Sequence, residues 1–127
     1  MFVNHLAPSH YILLNKFQLL AGHVLLVTRR FEHQERLLTV EDFVALITCL
    51  SEVDGLGFYN GGIQAGASQA RKHLQLVPLP LAPEVAARVP LEQIITRGAL
   101  PFRHAFAALP GLQAMAEVYR ELIARRD

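Results

Sequence analysis

Three polar side chains stand at every second position near the middle of the chain: Arg71, His73 and Gln75. In a β-strand alternate residues share a face and repeat about every 6.6 Å, so these three would line one face. Leu74 and Leu76 would then point into a core on the other face. Arginine and imidazole are side chains that bind or attack phosphoryl groups. The alternation therefore predicts a polar strand face with phosphate chemistry.

A loop of small residues precedes this strand. After a short apolar strand around Phe58, residues 60–69 read Asn-Gly-Gly-Ile-Gln-Ala-Gly-Ala-Ser-Gln. Backbone N–H groups in such a loop can turn together toward an anion. The loop and the polar strand together predict a phosphate site.

Each candidate also has a structural alternative. A histidine on a strand is often a polar or satisfied core residue, which applies to His73 and to His104. Asn15 can serve as a hydrogen bonder at a strand end, Asn60 can serve the turn before a glycine, and Ser68 can cap the loop. His23 is expected to hold strand ends together. His10 and His33 are expected to be solvated, and no His and carboxylate pair has metal-ligand spacing.

Composition restricts the class of protein. The 127 residues suffice for one compact domain, and 12 Lys and Arg against 11 Asp and Glu leave no basic field for nucleic acid. Hydrophobic residues make up 52% of the chain. This high share suggests apolar surface covered by a partner or a second copy, or flanking sequence that is missing. The single cysteine, Cys49, is expected to be a small core residue in a reducing compartment.

The N-terminal region lacks the basic start and apolar core of a signal peptide. The longest apolar region, Tyr11 to Val27, is interrupted by polar residues and does not read as a membrane span. We therefore expect a cytoplasmic protein that does not contact a membrane.

Hydrophobic periodicity predicts an α+β fold with about five mostly antiparallel strands and helices packed on one side. A capping box formed by Thr39 and Asp42 predicts a helix from Val40 to about Val53. The segment from Arg29 to Leu38 is expected to be a surface loop. The predicted strands are Tyr11–Phe17, His23–Thr28, the segment around Phe58, the segment around His73 and Leu100–Ala107. Further helices are predicted at Glu84–Arg88, from Pro90 through Ile95, and from Leu112 to the C-terminus.

The order and spacing of several motifs resemble the histidine triad (HIT) superfamily, and more closely its diadenosine tetraphosphate phosphorylase (ATP adenylyltransferase) branch. The segments that carry the resemblance are Asn15–Phe17, Gly22–Thr28, Asn60–Gly62, Gly66–Gln69, Lys72–Gln75 and Phe102–His104. The resemblance extends from Leu6 to Leu109. It implies a single HIT-like domain over residues 1–127 that is shorter than full-length members.

The resemblance also implies the roles of site residues. In this branch the active strand reads His-x-His-x-Gln, and the middle histidine attacks the α-phosphorus of a nucleotide. His73 matches that middle position and Gln75 the last one. A ribose-contacting residue falls at Asn15. The positions implied to contact phosphate are Asn60, Gly66, Ser68, Gln69 and Arg71.

The implied function is nucleotidyl transfer, hydrolysis or phosphorolysis of dinucleoside polyphosphates, with diadenosine tetraphosphate and phosphate giving ATP and ADP. No cofactor is implied; the ligand is an adenine nucleotide or dinucleotide, and the expected assembly is a homodimer. The first triad position departs from the family because it is Arg71, whose charge binds phosphate but cannot relay a proton. The alternatives are therefore a non-catalytic nucleotide-binding module and a shortened chain that pairs with a second copy or with another protein.

Overall fold

The computed structural model describes residues 2–6, 8–17, 20–84 and 89–125. These residues form two compact units, Met1–Leu79 and Pro80–Asp127. The first unit holds a five-stranded sheet and one helix, and the second holds two helices and a long irregular segment.

Every pair of neighbouring strands in the sheet is antiparallel. The strands are β1 (Phe2–Leu6), β2 (His10–Leu14), β3 (Val24–Thr28), β4 (Gly55–Phe58) and β5 (His73–Pro78), and their spatial order is β1-β2-β3-β5-β4. The paired strands that are farthest apart in the sequence, β3 and β5, lie side by side in the interior of the sheet. The polar strand predicted around His73 is therefore flanked on both sides.

The register of β5 separates two faces of the sheet. Val27 of β3 lies opposite His73, and Leu26 lies opposite Leu74. Because opposed residues share a face, His73 belongs to one face and Leu26 and Leu74 to the other. Leu26, Leu74 and Leu76 are at most 2% exposed, so the prediction that the two leucines of β5 enter the core is confirmed.

A single helix, α1 (Val40–Glu52), supplies the core of the first unit together with this leucine face. Its start is the predicted capping box: the Asp42 N–H donates to the Thr39 hydroxyl, and the Thr39 N–H donates to the Asp42 carboxylate. Phe43 and Leu46 are buried on the helix. A Cβ at Gly57 of β4 would lie 2.7 Å from Leu46 Cδ1, so this glycine permits close packing of the helix on the sheet.

In the second unit, α2 (Leu91–Thr96) follows its N-cap residue Pro90, where a helix through Ile95 was predicted. A 3-10 turn at Leu112–Ala114 leads into α3 (Met115–Ala124), which confirms the C-terminal helix. Most of the helix predicted at Glu84–Arg88 lies outside the described residues. In the described part of the chain, no helix has both the length and the apolar character needed to cross a membrane.

The strand predicted at Leu100–Ala107 is wrong. This segment is irregular, and Phe102 and Phe106 are 62% and 54% exposed. Alternation of aromatic residues indicated a half-buried strand, but such a strand needs a ladder partner and a face to cover. His104, expected to be a packed strand residue, is exposed. The α+β class is confirmed, and β1, which was not predicted, is the fifth strand.

Candidate active site

His73 is the first residue of β5, and its ring is held by the chain just before it. Nδ1 lies 2.8 Å from the carbonyl oxygen of Arg71. Because a carbonyl only accepts, Nδ1 must carry a hydrogen. In a neutral ring this leaves the lone pair on Nε2, which is the form that a nucleophilic histidine requires.

A second histidine on the same side of the sheet, His23, is oriented by Asn15. The Asn15 Oδ1 accepts the N–H of Phe17 at 3.0 Å, so Asn15 turns its Nδ2 donor to His23 Nδ1 at 3.2 Å. Nδ1 of His23 must therefore accept, and its hydrogen lies on Nε2. That Nε2 is 2.9 Å from Oε1 of Gln75 and donates to it.

The chain of hydrogen bonds continues from Gln75 into the small-residue loop. Its Nε2 donates to Oδ1 of Asn60 at 2.9 Å, and Nδ2 of Asn60 donates to the carbonyl of Ala65 at 2.7 Å. Every step has a fixed donor and acceptor. An amide nitrogen carries two hydrogens, so Gln75 keeps one N–H beyond the one used by Asn60.

The loop itself is shaped by two glycines with positive φ, Gly62 at 106° and Gly66 at 95°. Several of its amides are engaged internally: Ala65 and Ala67 donate to Gly62, and Gly66 donates to Ile63. The amides of Ser68 and Gln69 make no backbone hydrogen bond to any described residue, and both side chains are exposed. The end of the loop next to β5 therefore offers two amide donors to an anion.

Arg71 contributes its backbone more directly than its side chain. Its Nη1 donates to the carbonyls of Thr28 and Arg29 at 3.1 and 3.2 Å, and the guanidinium lies 5.6 Å from the ring centre of Phe31. The charge is therefore anchored at the end of β3. A guanidinium has five N–H donors, so an anion can still be bound by those left over.

Sequence reasoning missed one residue beside His73. Gln34, placed in an expected surface loop, is 3% exposed and bonds the peptide groups of His73 and Asn60. No local pattern marks it, since a glutamine between charged residues looks like any solvated one. The orienting role of His23 was anticipated only as a tie between strand ends.

The opposite face of the sheet carries an ionic cluster. Lys72 is fully buried, and its Nζ contacts Asp42 Oδ2 at 2.6 Å, Glu32 Oε2 at 3.2 Å and the Leu37 carbonyl at 2.9 Å. His10 Nε2 lies 2.9 Å from Asp42 Oδ1. The expectation that His10 is solvated is wrong, because the ring is 1% exposed.

Hydrogen bonds govern the ionisation of this cluster. Burial acts to raise the pKa of Asp42, but bonds from His10, Lys72 and the Thr39 amide outweigh it and lower the pKa to about 2. The carboxylate is therefore ionised at neutral pH. Elsewhere on α1, burial raises the pKa of Cys49, which keeps its thiol protonated.

Comparison with known proteins places the chain in a family. Residues 1–97 match the family described as the Ap4A phosphorylase N-terminal domain, and the chain belongs to that family. The resemblance noted from the sequence is confirmed.

Two curated relatives come from Saccharomyces cerevisiae. The chain is 33% identical over 113 residues to diadenosine 5',5'''-P1,P4-tetraphosphate phosphorylase 2, covering 80% of this chain and 33% of the relative. It is 35% identical over 79 residues to protein APA1, covering 57% of this chain and 25% of the relative. The chain thus spans a third or less of the length of these relatives.

Solved structures agree with the fold. The crystal structure of yeast Ap4A phosphorylase Apa2 in complex with Ap4A matches with a TM-score of 0.59 and 30% identity, over 80% of this chain and 36% of that one. The AMP complex of the same enzyme matches with a TM-score of 0.57 and 32% identity, over 71% and 32% of the two chains.

Proposed function

We propose that this chain binds adenine nucleotides and processes dinucleoside polyphosphates by transferring a nucleotidyl group to His73. The observation that carries the proposal is the bond from His73 Nδ1 to the Arg71 carbonyl, which puts the lone pair on Nε2. Support comes from the family, and from relatives named for Ap4A phosphorolysis or solved with Ap4A and AMP.

The reaction proceeds in two displacements. Nε2 of neutral His73 forms a bond to the α-phosphorus of Ap4A, and the bond from that phosphorus to its bridging oxygen breaks, so ATP leaves with the electron pair. A phosphate oxygen then attacks the adenylyl-histidine, the N–P bond breaks back to Nε2, and ADP is released. Such transfers depend mainly on positioning and on stabilising charge on the phosphoryl oxygens.

The remaining site residues divide that work. The uncommitted N–H of Gln75 donates to a non-bridging oxygen of the transferred group, and Asn60 keeps that amide oriented. Gly66, Ser68 and Gln69 form the anion-facing end of the loop. Arg71 adds positive charge at the edge of the site, and Asn15 offers its second N–H to a ribose hydroxyl.

One observation favours a second candidate, a nucleotide-binding module without turnover. Arg71 stands at the first triad position, and its guanidinium is anchored on two carbonyls and stays charged, so it cannot pass a proton to a leaving group. Binding of AMP without adduct formation is the outcome that this candidate predicts. Homodimer formation and a single HIT-like domain over residues 1–127 stay predictions for either function.

The test is mass spectrometry of the intact chain after incubation with Ap4A or ATP. We expect a covalent adenylyl group on His73 that is absent in His73→Ala and present in the control His104→Ala, whose ring is exposed in the second unit. Added phosphate should remove the adduct and release ADP. If His73 carries no adenylyl group at millimolar nucleotide and AMP still binds, the result would support the nucleotide-binding module without turnover.

A further inference from the structure

Gln34 lies in the segment between β3 and α1, yet it is 3% exposed. Its main chain is fixed at both polar atoms: the N–H donates to the Ala70 carbonyl at 2.9 Å, and the carbonyl accepts the hydroxyl of Tyr59. A loop residue is normally solvated and mobile. This one is held by residues on either side of the small-residue loop.

The side-chain amide of Gln34 occupies a place where a strand would otherwise be. β4 ends at Phe58, which lies opposite Gln75, so the strand stops before it reaches His73. The His73 N–H donates instead to Oε1 of Gln34 at 2.7 Å, and Nε2 of Gln34 donates to the His73 carbonyl at 3.1 Å. A side-chain amide has the acceptor and donor of a peptide group, so it satisfies both backbone atoms of His73.

The same amide also reaches the loop. Nε2 of Gln34 donates to the carbonyl of Asn60 at 2.7 Å. Gln34 therefore bonds Tyr59 and Asn60 at the start of the loop, and Ala70 and His73 after it. One buried residue thus joins the two ends of the small-residue loop.

We propose that Gln34 is the positioning residue for His73, setting the place of the imidazole relative to the anion-binding end of the loop. The inference rests on the proposed function for its catalytic meaning. The orientation of the His73 ring depends on the peptide at Arg71, and that peptide directly precedes the backbone that Gln34 holds. Gln34 itself contacts no substrate and acts through the two peptide groups that it joins.

The experiment compares Gln34→Met with the matched control Gln93→Met, in which the glutamine is exposed on α2. Methionine preserves the length of the side chain and removes all three hydrogen bonds. We expect the rate of adenylyl-His73 formation at saturating nucleotide to fall by about 10- to 100-fold, the cost of displacing a reacting group by a fraction of an ångström to an ångström. The dissociation constant for AMP should change by less than about threefold, since the loop amides and Ser68 remain.

A second readout does not depend on turnover. Nitrogen NMR of the imidazole should show one tautomer of His73 in the unmodified protein, with the hydrogen on Nδ1, and a mixture in Gln34→Met. A residue that served stability only would lower the melting temperature and leave both the tautomer and the adduct rate per folded molecule unchanged. That result would overturn the inference.

The two proposals fail in different ways. If the chain without any substitution forms no adduct, the proposed reaction is wrong. The tautomer of His73 in Gln34→Met then still tests the role of Gln34. If Gln34→Met does not fold, hydrogen exchange in the unmodified protein decides. The backbone N–H of His73 should then exchange far more slowly than those of Ser68 and Gln69. Rapid exchange would show that Gln34 does not hold the His73 backbone.

Discussion

Lys72 and His73 are consecutive residues that face opposite sides of the same sheet, and their surroundings differ in what is left unused. Each hydrogen of the Lys72 ammonium has an oxygen partner: Asp42, Glu32 and the Leu37 carbonyl. His73 has one ring nitrogen bonded to protein in the described part of the chain, and the other faces no protein partner. Both regions are rich in polar groups, so polar content does not distinguish them. The difference is the lone pair on His73 Nε2, which no described residue uses.

The two regions also differ in charge. The cluster around Lys72 is built from formal charges, which are costly to bury and must be paired. The chain of hydrogen bonds from Asn15 through His23 and Gln75 to Asn60 consists of neutral amides and a neutral imidazole. An unpaired N–H costs less in a neutral network than an unpaired charge does. One N–H, such as that of Gln75, can therefore be left for a ligand. We therefore expect substitutions in the first region to act on stability, and substitutions in the second to act on chemistry.

Replacing the nucleophile should give the largest separation between the regions. In His73→Ala, adenylyl transfer should fall by roughly 10⁴- to 10⁶-fold, as when a covalent nucleophile is removed from other enzymes. The free energy of unfolding should fall only modestly, because the ring makes one hydrogen bond to the described residues, although His73 is 8% exposed and some packing is lost. Adduct formation and urea denaturation measure the two quantities on the same sample. Loss of folding with retained chemistry in the folded fraction would reverse the assignment.

Breaking the ionic cluster should give the next largest effect, on stability. Asp42→Ala leaves Lys72 buried without its closest partner, which typically costs about 3–5 kcal/mol of unfolding free energy. The matched control is Glu41→Ala, an exposed acid in the same helical turn. Urea denaturation should separate the two variants clearly. Equal stability of the two would mean that the cluster contributes nothing beyond packing.

Disorienting Gln75 should have a smaller effect confined to chemistry. His23→Phe keeps a ring near Phe58, 6.0 Å away, and removes the donor that holds Oε1 of Gln75. The amide is then free to rotate its oxygen toward the phosphoryl group. We expect adenylyl transfer to fall by about tenfold, near the value of one hydrogen bond to a charged group. The rate of adduct formation at saturating nucleotide, measured in quenched time courses, tests this. An unchanged rate would show that His23 does not orient Gln75.

Acid should weaken the ionic region through protonation of Asp42. The pKa of Asp42 is lowered from 3.8 to about 2, so its contribution to stability is complete above 3.8 and is lost as the pH falls through about 2. Asp42→Asn removes a titrating group with a depressed pKa. Its unfolding free energy should therefore decrease less steeply with acid than that of the unmodified protein, measured between about pH 5 and pH 2. Parallel curves would show that Asp42 has an ordinary pKa in the folded state.

Local signals accounted for much of the fold. The capping box at Thr39 and the alternation in β5 are decided within a few residues, so the sequence was enough for α1 and for the two leucines of the core. The irregular segment around Phe102 shows the limit of this reasoning. Its alternation resembles that of β5, but whether a segment becomes a strand depends on a neighbour that short-range pattern does not reveal.

The site was predictable where it follows the strand and loop, and not where it depends on distant contacts. His73, Gln75 and Asn60 come together as expected. The neighbours that orient them, His23 and Gln34, are 52 and 39 positions away from their partners in the chain. His10 was expected to be solvated, and its burial depends on an aspartate 32 residues later. Such pairings are tertiary contacts, which short-range pattern does not reveal.

One bond in the loop has a consequence for how the protein ages. Asn60 is followed by Gly61, a flexible successor that favours spontaneous conversion of asparagine to aspartate in long-lived proteins. In the folded state the Asn60 side-chain amide is held at both ends, with Nδ2 donating to the Ala65 carbonyl and Oδ1 accepting from Gln75, which restrains the rotation that conversion requires. Partial unfolding of the loop would release that restraint, and the resulting aspartate would present oxygen where the carbonyl requires a donor. Peptide mapping of stored samples should therefore show damage at residue 60, and a ligand that orders the loop should slow it.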